Sequence, residues 1–190
     1  MIFIKIIFNI ITILASSNLF ALEQKPSISV FTLDKNKFNQ SIKVSVSSQL
    51  NQNGFLTKNG NLSLKKISNS RFKSFKYIID NSDVLSEISD TELLIILKFK
   101  NQLINKKTSK IFINSEIYNS KTQNFISSWS TPRKIINFPN NCDQICKNLL
   151  ISKFTILLAD QLGKSLNGIL NARSSEVKNY NNLTKTYNFK

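Results

Sequence analysis

Histidine is absent from the 190-residue sequence, which also has only two cysteines, three prolines and four glycines. Without histidine, the chain lacks the base of Ser–His and Cys–His catalytic pairs and the commonest ligand of zinc and copper sites. With so few glycines, it has no glycine-rich loop that could cradle a phosphate group. We therefore expect a protein that binds rather than catalyses, with no catalytic residues, metal ion or cofactor.

Acidic side chains are also scarce, and five of the eleven lie close together in the sequence: Asp80, Asp83, Glu87, Asp90 and Glu92. A pair of carboxylates is what glycoside hydrolysis needs. The cluster thus leaves open an alternative function, an exported hydrolase that acts on envelope glycan. Nothing in the spacing singles out one pair, so the other interpretation is a solvated acidic patch.

Residues 1–21 have the features of a secretory signal peptide. Lys5 precedes an apolar run over residues 6–14, and small residues follow the run. A basic start, a short apolar core and a small residue at the cleavage point define such a signal. We expect cleavage after Ala21, with Ser17 as the second choice.

The mature chain is therefore expected in the periplasm or outside the cell. No later segment is apolar over the roughly 20 residues that a membrane-spanning helix needs, so we expect no transmembrane span in the mature chain. Neither cysteine is near the cleavage point, which argues against a lipid anchor. The alternative is that residues 6–22 are retained as a short membrane anchor.

The formal net charge is +15, and all but three of the 26 basic residues are lysine. Such a balance is typical of proteins with an acidic partner, for example nucleic acid or an anionic membrane surface. An exported protein rarely meets nucleic acid, so we expect no nucleic-acid partner. Two interpretations remain: an anionic surface as partner, or a solvated lysine-rich surface that reflects AT-rich codon usage.

After the signal peptide, the pattern predicts one α/β domain over residues 22–171. Residues 27–33 alternate as a short strand does, and apolar residues at steps of four predict a helix from Phe38 that stops at Gly54. A short strand is expected at 55–59. The segment 62–90 leaves helix and strand open. From residue 172 to 190 the chain is polar and rich in asparagine, which predicts a loosely ordered tail.

The clearest strands follow, at residues 91–100, 109–118 and 125–135. The first has five consecutive apolar residues, which suits a central strand covered on both faces. The other two alternate in polarity and form an antiparallel hairpin. Alternation places Phe125 and Trp129 on one face, where we expect Trp129 to pack with Phe125 or with Tyr118. These three aromatic residues are the candidate interaction site.

The last element is a long amphipathic helix, with Asn141 as the expected N-cap. The two cysteines lie where it begins, and three roles are open to them. A zinc site needs about four ligands, which this chain does not offer, and a redox pair normally has the spacing C-x-x-C. Paired cysteines of exported proteins are normally oxidised. We predict a structural disulfide, Cys142–Cys146, that lets Ile145 and Leu149 enter the core.

The hairpin sequence EIYNSKTQNFISSWS, residues 116–130, resembles the D-x-x-T-G-x-x-x-W hairpin of an α/β domain in bacterial envelope accessory proteins. That group includes the N-terminal domain of TolB, the secretion protein CsgG and the penicillin-binding-protein activators. Gly54-Phe55, the apolar strand and Trp129 also match, whereas Asn119 and Gln123 depart from the pattern. The resemblance implies an adaptor or assembly protein of the envelope, acting through contacts with a partner protein.

Overall fold

One mixed sheet organises the part of the chain that this computed structural model describes, residues 25–33, 37–69 and 74–187, with side chains described as far as Ala172. The strands are β1 (Ile28–Thr32), β2 (Thr57–Asn59), β3 (Leu93–Asn105), β4 (Thr108–Asn119), β5 (Phe125–Ser130) and β6 (Lys134–Asn137). The helices are α1 (Asn39–Gln52), α2 (Gly60–Ile67), α3 (Phe75–Asp80), α4 (Ser82–Ser89) and α5 (Gln144–Tyr187). The predicted signal peptide lies outside the described residues.

The strand order is β2-β1-β3-β4-β5, and β6 pairs with the first residues of β4. Strand β1 is parallel to both β2 and β3, whereas β3–β4, β4–β5 and β4–β6 are antiparallel. The predicted fold class is therefore confirmed: an α/β fold with a single mixed sheet, an antiparallel hairpin, an early helix and a long C-terminal helix.

The centre of the sheet is buried on both faces. All five residues of β1 are buried, and so are residues 94–97 of β3, which pair with them. Continuous apolar runs are what a doubly covered strand needs, because its side chains point alternately into two cores. The central strand predicted from the run at 93–97 is confirmed.

Helix α1 forms and ends as the sequence predicts. Ile42, Val46 and Leu50 are fully buried, because their spacing of four residues keeps them on one face of the helix. Gly54 has φ +84, and its N–H donates to the Asn51 carbonyl while the Phe55 N–H donates to Leu50. This pair of hydrogen bonds is the Schellman motif, which satisfies carbonyls at a helix end and favours glycine.

Two layers of helices cover the sheet. We call first face the side that carries Ile95, Ile113 and Ile117, which pack with α1 and α5. The second face carries Leu94, Ile96 and Tyr118, which pack under α2, α3 and α4. These three short helices occupy the segment for which the sequence left helix and strand open.

Buried hydroxyl groups join α4 to the sheet. On α4, Ser89 lies 3.0 Å from the hydroxyl of Ser29 on β1, and Ser86 lies 3.1 Å from that of Ser120. Thr91 completes the group, with its hydroxyl 2.8 Å from Ser89 and its carbonyl accepting from Ser120. Because buried polar groups are costly unless they are paired, this network fixes where the helix sits.

Helix α5 differs from the prediction in its first turns. Ile145 and Leu149 were expected in the core but are 70% and 67% exposed. The buried side of α5 starts at Ile151 and continues through Leu158, Leu162, Leu166 and Leu170. The backbone stays helical to Tyr187, through the segment predicted as a loose tail. No glycine or proline follows Gly168, so each further residue adds a helical hydrogen bond.

The two glycines of α5 provide a test of how closely α1 and α5 pack. A Cβ added to Gly163 would lie 2.6 Å from the Cβ of Gln49 on α1, whereas at Gly168 it would meet no atom within 4 Å. Gly163→Ala should lower the free energy of unfolding by about 1–3 kcal/mol through overpacking. Gly168→Ala should raise it by up to about 1 kcal/mol through helix propensity. Urea unfolding of both variants checks this, and equal shifts would contradict the packing.

Candidate functional site

The three candidate aromatic residues lie at the β4–β5 edge of the sheet. Tyr118 is 8% exposed, Phe125 57% and Trp129 41%. The Tyr118 ring lies edge-on between two others, with centroids 5.6 Å from Phe125 and 5.6 Å from Phe75 on α3. Tyr118 is therefore a core residue, and Phe125 covers it at the surface.

A β-bulge separates Phe125 from Trp129. On β5, Ser127 pairs with Ile117 and Phe125 pairs with Tyr118, so Ile126 is an extra residue between them. An extra residue reverses the alternation of side chains. Phe125 therefore lies on the second face and Trp129, which pairs with Ser115, lies on the first face. The prediction that they share a face is wrong.

A half-open cavity of about 390 Å³ adjoins Tyr118 on the second face. Its lining is Leu33, Phe75, Ile96, Lys98, Asn114, Glu116 and Tyr118. The Tyr118 hydroxyl donates to Glu116 Oε2 at 2.7 Å. Burial raises the pKa of Tyr118 far above its usual value, and the hydrogen bond and charge of Glu116 raise it further. The tyrosine is thus a stable hydrogen-bond donor, and the cavity offers polar groups to a ligand.

Exposed apolar residues form a stripe along the first turns of α5. We call the α5 stripe the residues Ile145, Leu149 and Ile156, which are 70%, 67% and 46% exposed. Ile156 also lines a groove of about 460 Å³ between α5 and α1, together with Val44, which is 57% exposed. Further along, Gly163 contacts α1. Ile145 and Leu149 are thus uncovered because the first turns of α5 extend in space beyond the N-terminal end of α1.

The sequence analysis missed this stripe because it assigned all apolar residues of α5 to one face. A signal was present. Positions 145, 149, 152 and 156 follow steps of four, three and four, and three of them are apolar. The buried residues, from Ile151 to Leu170, follow a separate series. The helix carries two apolar stripes, and only contact with the sheet decides which one is buried.

The clustered carboxylates do not come together at a cavity. Asp80, Asp83, Glu87, Asp90 and Glu92 are all exposed, and none lines either of the two cavities described above. Lys58 approaches Asp90 at 3.7 Å. Within the described ranges, no group of three or more cysteine and carboxylate side chains is arranged to hold a metal ion.

The cysteines form a disulfide at the start of α5. Cys142 and Cys146 are bonded, with their Cα atoms 5.3 Å apart. The N-cap is Asp143 rather than the expected Asn141, because the Asp143 carboxylate accepts from the Cys146 N–H at 2.8 Å. Cys142 packs against the core and its N–H donates to the Pro139 carbonyl. The bond thus ties the turn after β6 to the first turn of the helix.

Removal of this bond should lower the stability of the fold and loosen the first turn of α5. The double variant Cys142→Ser, Cys146→Ser should lose about 2 kcal/mol of unfolding free energy, since the closed loop is small. In the presence of a reductant, wild type and variant should unfold at the same urea concentration, which is the control. Two free thiols in denatured, unreduced protein from its native source would contradict the bond.

Comparisons with known proteins give only distant similarity. No family model and no curated protein matches the chain. Among solved structures, lipoprotein GNA1162 from Neisseria meningitidis has a TM-score of 0.47 and 14% identity, over 71% of this chain and 99% of that one. A minor lipoprotein from Acinetobacter baumannii has a TM-score of 0.43 and 12% identity, over 78% and 92%. Rare lipoprotein B from Shewanella oneidensis has a TM-score of 0.39 and 10% identity, over 80% and 97%.

These structural neighbours are bacterial lipoproteins, and similarity at this level carries no argument about function. The resemblance to the TolB and CsgG group stays a prediction. In the described part of the chain, no helix has the length and apolar character that crossing a membrane requires.

Proposed function

We propose that this protein is an exported, non-catalytic adaptor or assembly protein of the bacterial cell envelope. It binds a partner protein through the α5 stripe. The observation that carries the proposal is the exposure of Ile145, Leu149 and Ile156 on a helix that already buries a separate series of residues, from Ile151 to Leu170, in the core.

The spacing of the α5 stripe supports a helical partner. Apolar residues at alternating steps of four and three form the seam by which helices pack in coiled coils. An amphipathic helix that lies along such a seam buries its own apolar face. The groove beside Val44 continues the seam onto α1, so that a partner helix would contact two elements of the fold.

Export is supported by the cysteines as well as by residues 1–21. Disulfides persist in oxidising compartments, such as the periplasm, and are rare in the cytosol. The bond between Cys142 and Cys146 spans Ile145, the first residue of the α5 stripe. It therefore holds the first turn of α5, where Ile145 is exposed, in a fixed position.

Phe125 and Trp129 are a second candidate contact. Exposed aromatic residues are enriched at the centres of protein interfaces, and both lie on the edge strand β5. Because they lie on opposite faces of the sheet, a partner that contacts both must wrap around the edge. The alternative hydrolase has less support, since its five carboxylates line neither cavity.

Site-specific photo-crosslinking in the native organism tests the α5 stripe. A photoreactive amino acid at position 149 should give one dominant adduct with an envelope protein. The matched control is position 161, where Gln161 is exposed on the same helix but outside the stripe. With the photoreactive residue at position 156, the double change Ile145→Ser, Leu149→Ser should strongly reduce the adduct. The same adducts at positions 149 and 161 would contradict the proposal.

Export has its own test. Protein recovered from the envelope fraction should lack residues 1–21, because a signal peptidase removes them. The intact mass, measured under conditions that preserve the disulfide, gives the cleavage point and distinguishes Ala21 from Ser17. A mass that includes Met1 would contradict cleavage and would favour the alternative in which residues 6–22 are retained as a membrane anchor.

A further inference from the structure

The helices of the second face leave part of that face open. Helices α2, α3 and α4 pack over the part of this face where β3 begins and β4 ends, at Leu94, Ile96 and Tyr118. Further along β3 and β4, the second face carries Lys100, which pairs with Phe112, and Gln102, which pairs with Lys110. These side chains are only half-buried or exposed, and no described helix packs over them. We call this region the open half-face.

Four cations converge on the open half-face. Lys98 and Lys100 come from β3 and Lys110 from β4, and the Arg133 guanidinium lies 5.7 Å from the centre of the Phe112 ring. None of the four makes an ion pair with a described carboxylate. The acidic residue on this side is Glu116, which is bonded to the Tyr118 hydroxyl.

AT-rich codon usage would account for the number of lysines but not for their convergence with an arginine on one part of the sheet. Lys100 and Lys110 are diagonal neighbours across the β3–β4 pairing, since their direct partners are Phe112 and Gln102, and like charges on neighbouring strands repel. Arg133 is one of only three arginines in the sequence, and its fork-shaped guanidinium binds carboxylate groups with two hydrogen bonds. The open half-face is therefore complementary to an anionic partner.

The groups between the cations indicate the chemistry of that partner. Phe112 presents a ring at the centre, and Asn114 and Ser130 form a hydrogen-bonded pair beside it, with Ser130 Oγ donating to Asn114 Oδ1 at 2.7 Å. The adjoining cavity adds Glu116, a hydrogen-bond acceptor. A sugar ring presents an apolar face, several hydroxyl groups and, when it is acidic, a carboxylate, and each of these has a counterpart here.

A membrane surface fits this region less well. Proteins that bind at a bilayer surface insert several large apolar side chains below the head groups. Among the described residues, the large aliphatic side chains that are strongly exposed at the open half-face are only two, Ile135 on β6 and Ile104 at the bulged end of β3. We propose that the open half-face binds an acidic polysaccharide, with Lys98, Lys100, Lys110 and Arg133 contacting its carboxylates and Phe112 packing against its sugar rings.

Titration calorimetry with polygalacturonate, at about 0.15 M salt where exposed charges are well screened, tests the proposal. The triple variant Lys98→Gln, Lys100→Gln, Lys110→Gln should bind about tenfold more weakly, because it loses three ionic contacts. The matched control removes three exposed lysines elsewhere, with Lys65→Gln, Lys66→Gln and Lys153→Gln. It should bind as the wild type does. Urea unfolding of both variants verifies that they are folded.

Three further measurements separate this ligand from others. Phe112→Leu should weaken binding of polygalacturonate more than the weaker binding of polyglutamate, since both ligands share the Arg133 that lies over the ring but only the sugar packs on the ring itself. Neutral dextran should not bind. An equal loss in both triple variants, or equal binding of polyglutamate or of phosphatidylglycerol vesicles, would overturn the proposal. Ile145→Ser, Leu149→Ser should not affect polygalacturonate binding, so failure here is distinct from failure of the proposed function.

Discussion

The parallel pairing of β1 with β3 is the constraint on which the rest of the structure depends. Both strands are buried on both faces, so each face needs its own layer of helices. The two layers are unequal. On the first face, α1 and α5 supply long apolar sides, whereas on the second face three short helices cover only the part near β1. The parts of the sheet and of α5 that these helices leave uncovered are exposed and can contact another molecule.

Both proposed surfaces arise from this inequality. The open half-face exists because β3 and β4 continue past the last residues that α2, α3 and α4 cover. The α5 stripe exists because the first turns of α5 extend in space beyond the first residue of α1. These turns carry a second apolar series on the side of α5 that contacts α1 further along the helix. The two proposed surfaces lie on opposite faces of one sheet, so their proposed ligands would not compete for the same residues.

Local patterns were sufficient to predict the elements whose stability is local. The step of four from Ile42 to Leu50, with Gly54 after it, predicted α1 and its end. The run at residues 93–97 predicted the central strand, and cysteine spacing together with an exported location predicted the bond that the structure contains. For α1 and the central strand, one short segment contains the physical reason, whereas the disulfide also needed the exported location predicted from residues 1–21.

What the sequence did not predict depends on distant contacts. The position of α4 rests on hydroxyl groups from β1, from Thr91 and from the end of β4, which no periodicity indicates. The bulge at Ile126 depends on how β5 pairs with β4, and it moved Phe125 and Trp129 to opposite faces. The four cations of the open half-face come from three separate segments. Only the register between strands brings them together.

The role of the disulfide changes once the exposure of α5 is known. A bond that directs Ile145 and Leu149 into the core would act on stability alone. These residues are exposed, and the core begins at Ile151. The first two turns of α5 have only partly buried contacts with the core, through Cys142 and Leu150, and helix ends fray when little holds them. The Cys142–Cys146 bond and the Asp143 cap act on the first of these turns. They therefore act on the turn that carries Ile145, the first residue of the proposed α5 stripe, as well as on the stability of the fold.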